Sequence, residues 1–175
     1  MDDAVLIAQL EAALEDARAE TRAAFENRAL IYAAIFDELS WEIGDERAAD
    51  IMKRAIRARG HEVGKKYRAA ARRGDLDEVG RIFCEGSPCA GELFTPGVQE
   101  HSDGRIVLRM ASCPLRDAWL EEDRSSDEID TLCEIAAAID EGTFEAAGLE
   151  LTFLDRLGIE GSQNCLLELT GESAD

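Results

Sequence analysis

Apolar residues return at helical spacing through most of the first half of the chain. Leu6, Leu10, Ala13 and Ala17 recur at three- and four-residue intervals, and Ile31, Ile35 and Leu39 continue the spacing with Tyr32 and Phe36 beside them. The pattern predicts a long helical stretch, with Asp2 or Asp3 able to cap its start. Gly44-Asp45 reads as a stop and a restart, because Gly suits the left-handed position after a helix and Asp caps the next one. Gly74-Asp75 repeats that punctuation, with Glu78 placed to close a capping box. Between the two, Asp45 to Arg73 carries Ile51, Ala55, Ile56, Val63 and Tyr67, interrupted by Gly60 and Gly64. Two glycines four apart would let a helix or a ligand approach the backbone, but a kink near Gly60 is the simpler expectation.

From Cys84 the texture changes. Gly86, Pro88, Gly91, Pro96 and Gly97 fall within a short stretch and predict a loop between the helical half and the rest. Val98 to Ser102 and Arg105 to Met110 flank Asp103-Gly104, a two-residue hairpin signal, and Pro114 closes the second strand. Ser125 with Glu128 is a second capping box. It opens a helix carrying Ile129, Leu132, Cys133, Ala136, Ala137 and Ile139 that is expected to stop near Gly142. Leu149 to Leu154 and Cys165 to Leu169 predict another strand pair, joined by a loop with Gly158 and Gly161. The expected fold is one α+β domain over residues 1–175. A helical part (1–83) packs on a small, mostly antiparallel sheet (98–170) with short helices between its hairpins.

Charge changes the picture of partners more than of fold. The 175 residues hold 19 Lys plus Arg against 38 Asp plus Glu, a net charge of −19. Such a chain repels phosphate backbones and anionic membrane surfaces, which argues against nucleic acid and membrane as partners. The imbalance is uneven: residues 1–80 hold 17 acids and 13 bases, residues 81–175 hold 21 acids and 6 bases. Nine bases and one acid, Glu62, fall between Lys53 and Arg73. If that basic stretch lies over the reactive residues of the second half, it is part of a pocket for an anionic ligand; otherwise it is solvated surface. No run approaches the roughly 18 apolar residues of a membrane span, and the acidic start is unlike a secretory signal, so a cytoplasmic location is expected.

Five cysteines, an odd number in a chain too long to need disulfide stapling, point to thiols or metal ligands. Cys113, Cys133 and Cys165 belong to three different elements and can converge, as ligands of zinc or of an iron–sulfur cluster. Their spacing matches no local metal-binding pattern, and free cysteine also packs as a small hydrophobe. Cys84 and Cys89 lie in a Gly/Pro loop and could present two thiols. His61, on the basic stretch, is a candidate anion ligand or base, and His101 sits in the hairpin. No Ser/His/Asp spacing, phosphate loop or dinucleotide fingerprint is present.

One ordered set of motifs is more specific. Arg109-Met-Ala-Ser-Cys113-Pro114-Leu115, then Trp119, then Leu132-Cys133 with Asp140 seven residues on, then Gly161 and Cys165 before an alternating strand, resembles the L-2-amino-thiazoline-4-carboxylic acid hydrolase family. Arg59-Gly-His-Glu-Val-Gly64 resembles the Gly-rich helix of that family and of the related 4-vinyl-reductase-like ligand-binding domains. The resemblance implies hydrolysis of a C–N bond in a small cyclic amidine-like or thiazoline substrate, opening the ring. On physical grounds, a metal held by Cys113, Cys133 and Cys165 with one open position could polarise water, with Asp140 as ligand or general base and His61 as a further candidate base, while Arg109 and Arg116 are cations able to compensate an anionic substrate.

Seven residues is nearly two helical turns, so Asp140 shares a face with Cys133 about 10 Å further along, too far for one ion to touch both without a bend near Gly142. Two alternatives stand beside the hydrolase: a non-catalytic ligand-binding or sensing domain with a structural metal, and an iron–sulfur protein using Cys84 or Cys89 as fourth ligand. The long apolar stripe from Leu6 to Leu39 exceeds what one small sheet covers and predicts a homodimer.

Overall fold

A computed structural model describes residues 3–102 and 104–171, so the expectations placed on Asp2 and Asp103 lie outside the described residues. The first helix, α1 (Asp3–Ile43), is continuous for 41 residues. Only its second half meets the core, through Ala29, Ala33 and Phe36. Gly44, with φ 84°, turns the chain into α2 (Asp45–Gly64). A short α3 (Arg68–Ala71) leads to α4 (Leu76–Glu85), whose first turn is capped by the Asp75 side chain accepting from the Glu78 amide.

The kink expected near Gly60 is absent: α2 runs unbroken through Gly60 and ends at Gly64. Both glycines serve close packing against α6 (Ser126–Ala147). A Cβ on Gly60 would stand 2.3 Å from the Ile139 carbonyl oxygen, and one on Gly64 would stand 2.2 Å from that of Thr143. Nor does α6 stop or bend at Gly142. That residue is where the Arg57 peptide seats, and α6 runs on to Gly148, which takes the left-handed position (φ 85°). The capping box opening α6 forms as expected: Glu128 accepts from the Ser125 amide at 2.9 Å, and Ser125 Oγ accepts from the Glu128 amide.

The sheet is four-stranded and antiparallel in the order β1-β2-β4-β3, from β1 (Pro96–Ser102), β2 (Arg105–Met110), β3 (Leu149–Asp155) and β4 (Cys165–Gly171). The fold is therefore α+β, as the hydrophobic pattern implies. Pro114 does more than close β2: it occupies the first turn of α5 (Pro114–Glu121), with Cys113 at the N-cap. Pro fits there because its missing N–H would be unpaired in any case.

Two apolar clusters result. One joins α1, α2, α5 and α6 around Phe36, Ile56, Trp119 and Leu132, and is pinned by Trp119 Nε1 donating to the Ala29 carbonyl at 2.9 Å. The other joins α3, α4 and the C-terminal half of α6 to one sheet face, around Tyr67, Ile106, Leu108, Phe144 and Leu167. No helix of the described residues is long and apolar enough to cross a membrane.

Candidate functional site

The seam between the two clusters is not filled. It leaves a cavity of about 620 Å³ that opens to solvent, lined from the first cluster by residues such as Phe25, Tyr32, Leu115 and Trp119, and from the second by Tyr67, Phe83, Met110 and Phe153. Cys113, Cys133, Cys165 and Asp140 all open onto it. Each arrives for a local reason. Cys113 is fixed by the turn from β2 into α5. Cys165 starts β4 in register with Met110, so the strands aim both side chains at the cavity. Cys133, Ala136, Ala137 and Asp140 recur at three- and four-residue spacing along one face of α6.

The loop after β3 completes the wall. The Leu157 amide donates to Cys165 Sγ at 3.4 Å, and Gly158 packs on Cys133, where a Cβ would come within 2.8 Å of the sulfur. Any larger residue at Gly158 would push the loop off the thiol. Arg156 also lines the cavity and bridges Asp130 and Glu134, each at 3.1 Å. None of Gly158, Arg156, Lys66 or Ser87 stands out in the sequence as a site residue, although the basic stretch containing Lys66 does.

Burial governs the titration of these groups. It pushes the Cys113 thiol up to about 11, an effect partly offset by the backbone amides of Arg116 and Leu115 at the start of α5. Burial likewise raises Cys133 and Cys165, and each is raised further by neighbouring acidic groups: the other two thiols for Cys133, Asp140 and Asp155 for Cys165. The thiols are thus protonated at neutral pH. Asp140 is pushed up to about 7, by burial first and by Glu141 second. A half-ionised carboxylate in an apolar chamber is suited to exchange protons near neutrality.

The remaining sequence candidates lie elsewhere. His61 is on the outer side of α2, with Nε2 3.1 Å from Glu145. His101 pairs with Asp77 at 2.9 Å on the sheet edge. Arg109 neighbours Met110 on β2 and so points to the opposite sheet face, its guanidinium beside Gly97. Arg116 pairs weakly with Asp117 at 3.7 Å and contributes its backbone, not its side chain, to Cys113. Cys84 lies in the last turn of α4, and Cys89 sits in a 3-10 turn (Pro88–Gly91) at φ 54°; neither is among the residues lining the cavity.

Among the described residues no group of three or more His, Cys, Asp or Glu side chains is arranged to hold a metal ion, and all five cysteines are free. At the sulfurs, Cys133 is packed on Gly158, Cys165 accepts from an amide, and Cys113 faces the α5 amides.

The family model for L-2-amino-thiazoline-4-carboxylic acid hydrolases matches residues 22–168, which takes in every wall of the cavity. The chain belongs to that family. Comparison with curated protein sequences gives no match. Among solved structures, the fold of this hydrolase-family chain is similar to that of a trafficking protein particle complex subunit 3 from Naegleria fowleri, crystallised covalently bound to palmitic acid. The TM-score is 0.56 at 10% identity, over 86% of this chain and 96% of that one. At that identity the likeness is one of fold.

Proposed function

We propose that the cavity is the chamber of a hydrolase that opens a cyclic C–N bond in a 2-aminothiazoline-carboxylate type of substrate. The observation that carries this reading is Asp140, a carboxyl held near pKa 7 inside a chamber walled by three neutral thiols. In the ionised form it takes a proton from a water molecule as the water oxygen bonds to the amidine carbon. The ring C–N bond then breaks as the adduct's hydroxyl gives up its proton and becomes a carbonyl, and the departing nitrogen takes up both protons, one of them returned by the same carboxyl. The neutral thiols and aromatic walls keep bulk water from the reacting carbon. Membership of the hydrolase family supports this reading.

The test is turnover of 2-amino-thiazoline-4-carboxylate by the purified chain. Asp140→Asn should lose at least 100-fold in kcat with an unchanged circular dichroism spectrum. A wild type without turnover, or an Asn variant as active as wild type, overturns the reading.

A second reading is favoured by a separate observation, the fold likeness to a protein carrying covalent palmitic acid. In it the chamber stores a small ligand without converting it, and mass spectrometry of native protein would find a bound molecule that survives purification unchanged.

Assembly is part of the same proposal. Val5, Leu6, Ile7, Leu10 and Leu14 on the projecting half of α1 are 42–62% exposed. Ile7, Leu10, Leu14, Ala17, Thr21 and Ala24 recur at alternating three- and four-residue steps, the seam spacing of paired helices. Such a seam is complementary to a second copy of itself, which supports a homodimer.

A further inference from the structure

The sequence leaves a −19 chain with the problem of admitting an anionic ligand. Four cations line the chamber: Arg156 is paired with Asp130 and Glu134, Arg28 lies over the Phe25 ring, and Arg59 and Lys66 come from the basic stretch. Lys53 and Arg57, from the same basic stretch, are spent on Glu134, Glu141 and Glu145. Arg59 and Lys66 are not: both are exposed, both line the cavity, and neither has an ion-pair partner among the described residues. Exposed residues in a cavity wall stand at its mouth. Lys66 is draped across Gly86, where a Cβ would meet Nζ at 2.9 Å, so the missing side chain makes room for the ammonium.

Beside it, Ser87 also lines the cavity, and its Oγ is buried with no hydrogen-bond partner. A buried hydroxyl left unpaired costs roughly 1–3 kcal/mol, and a ligand oxygen at this position would satisfy it. Size adds an independent constraint. About 620 Å³ is the volume of some twenty water molecules at about 30 Å³ each, whereas a five-membered ring with one amino group and one carboxylate, about nine non-hydrogen atoms, fills roughly a quarter of it. The remaining wall is aromatic and aliphatic, from Phe83, Phe94, Pro96 and Met110.

We infer that Lys66, Ser87 and Arg59 form a carboxylate-binding subsite at the mouth of the chamber, and that the physiological substrate is an amphipathic carboxylate much larger than a single ring, with an apolar body lying on the aromatic wall. This deepens the hydrolase reading by naming the substrate class, and rests on it for the chamber being a substrate site. Lys66 supplies charge, Ser87 a hydroxyl donor to one carboxylate oxygen, and Arg59 a second cation at the rim.

The experiment is calorimetric binding of a straight-chain series, butanoate to dodecanoate, with decanol as the uncharged control, to wild type and to Lys66→Met, Lys66→Arg and Ser87→Ala. Affinity should rise about fourfold per methylene until the chamber is full. Decanoate should bind at least tenfold more tightly than decanol. Lys66→Met should lose about tenfold for decanoate and nothing for decanol, Lys66→Arg should restore most of it, and Ser87→Ala should lose about fivefold. Equal binding of decanoate and decanol, or no chain-length dependence, overturns the subsite. The two readings fail separately. A protein that opens the thiazoline ring but shows no charge-dependent decanoate binding keeps the hydrolase and loses the subsite, and the converse result keeps the subsite and loses the hydrolase.

Discussion

Gly142 of α6 and Arg57 of α2 meet backbone to backbone: a Cβ on Gly142 would stand 2.1 Å from the Arg57 carbonyl oxygen. With Gly60 and Gly64 on the facing helix, this contact brings α2 close enough for Arg59 and Val63 to share the chamber wall with Asp140. The opposing atoms are main chain, so neither helix can yield by a rotamer change. Gly142→Ala is therefore expected to cost about 3 kcal/mol, a fall in Tm of roughly 6–12 °C by scanning calorimetry. Gly104→Ala, in the open β1–β2 turn at φ 72° with nothing within 4 Å of a Cβ, should cost about 1 kcal/mol through backbone strain alone.

Asp140 gives the protein a pH signature. Its carboxyl titrates near 7 when folded against an ordinary value of 3.8. A raised folded value means the native state holds the proton more tightly than the unfolded chain. The associated stability is complete below about pH 4 and is lost as pH rises through 7. Urea midpoints should thus fall between pH 5 and pH 8 in wild type, by the equivalent of a few kcal/mol, and Asp140→Asn should remove most of that slope. The same ionisation should appear in catalysis as an acidic limb of kcat/KM with a midpoint near 7.

The buried thiols should be slow nucleophiles. With Cys113 near 11, only about a thousandth of it is thiolate at pH 8. Iodoacetamide at that pH should alkylate Cys113 and Cys133 at least tenfold more slowly in native protein than in urea, read by peptide mass spectrometry. Rapid native alkylation of either would contradict that burial.

The α1 seam makes a size prediction. Leu10→Glu with Leu14→Glu should convert a dimer of about twice the 19.2 kDa chain mass to monomer in light scattering, with no loss of Tm beyond about 2 °C, because both positions are exposed within one chain.

Local chemistry made the elements legible in sequence. The Ser125/Glu128 box, the Asp75 cap, the Gly44 turn and the alternation in β4 each fixed a boundary through interactions spanning only a few residues. What sequence could not supply was the partner of a glycine. Gly60 and Gly142 read locally as a kink and a stop, yet each exists for a helix some 80 positions away. The site divided in the same way. Helical spacing puts Cys133 and Asp140 on one face, whereas strand alternation turns Arg109 away from its neighbour Met110. His61 shares the basic stretch, but its own turn of α2 faces Glu145.

A chamber left between two apolar clusters also has a mechanical meaning. An occupant that fills the space would act as a third piece of core, bonding the α1/α5 side of the molecule to its sheet and making the two clusters unfold as one.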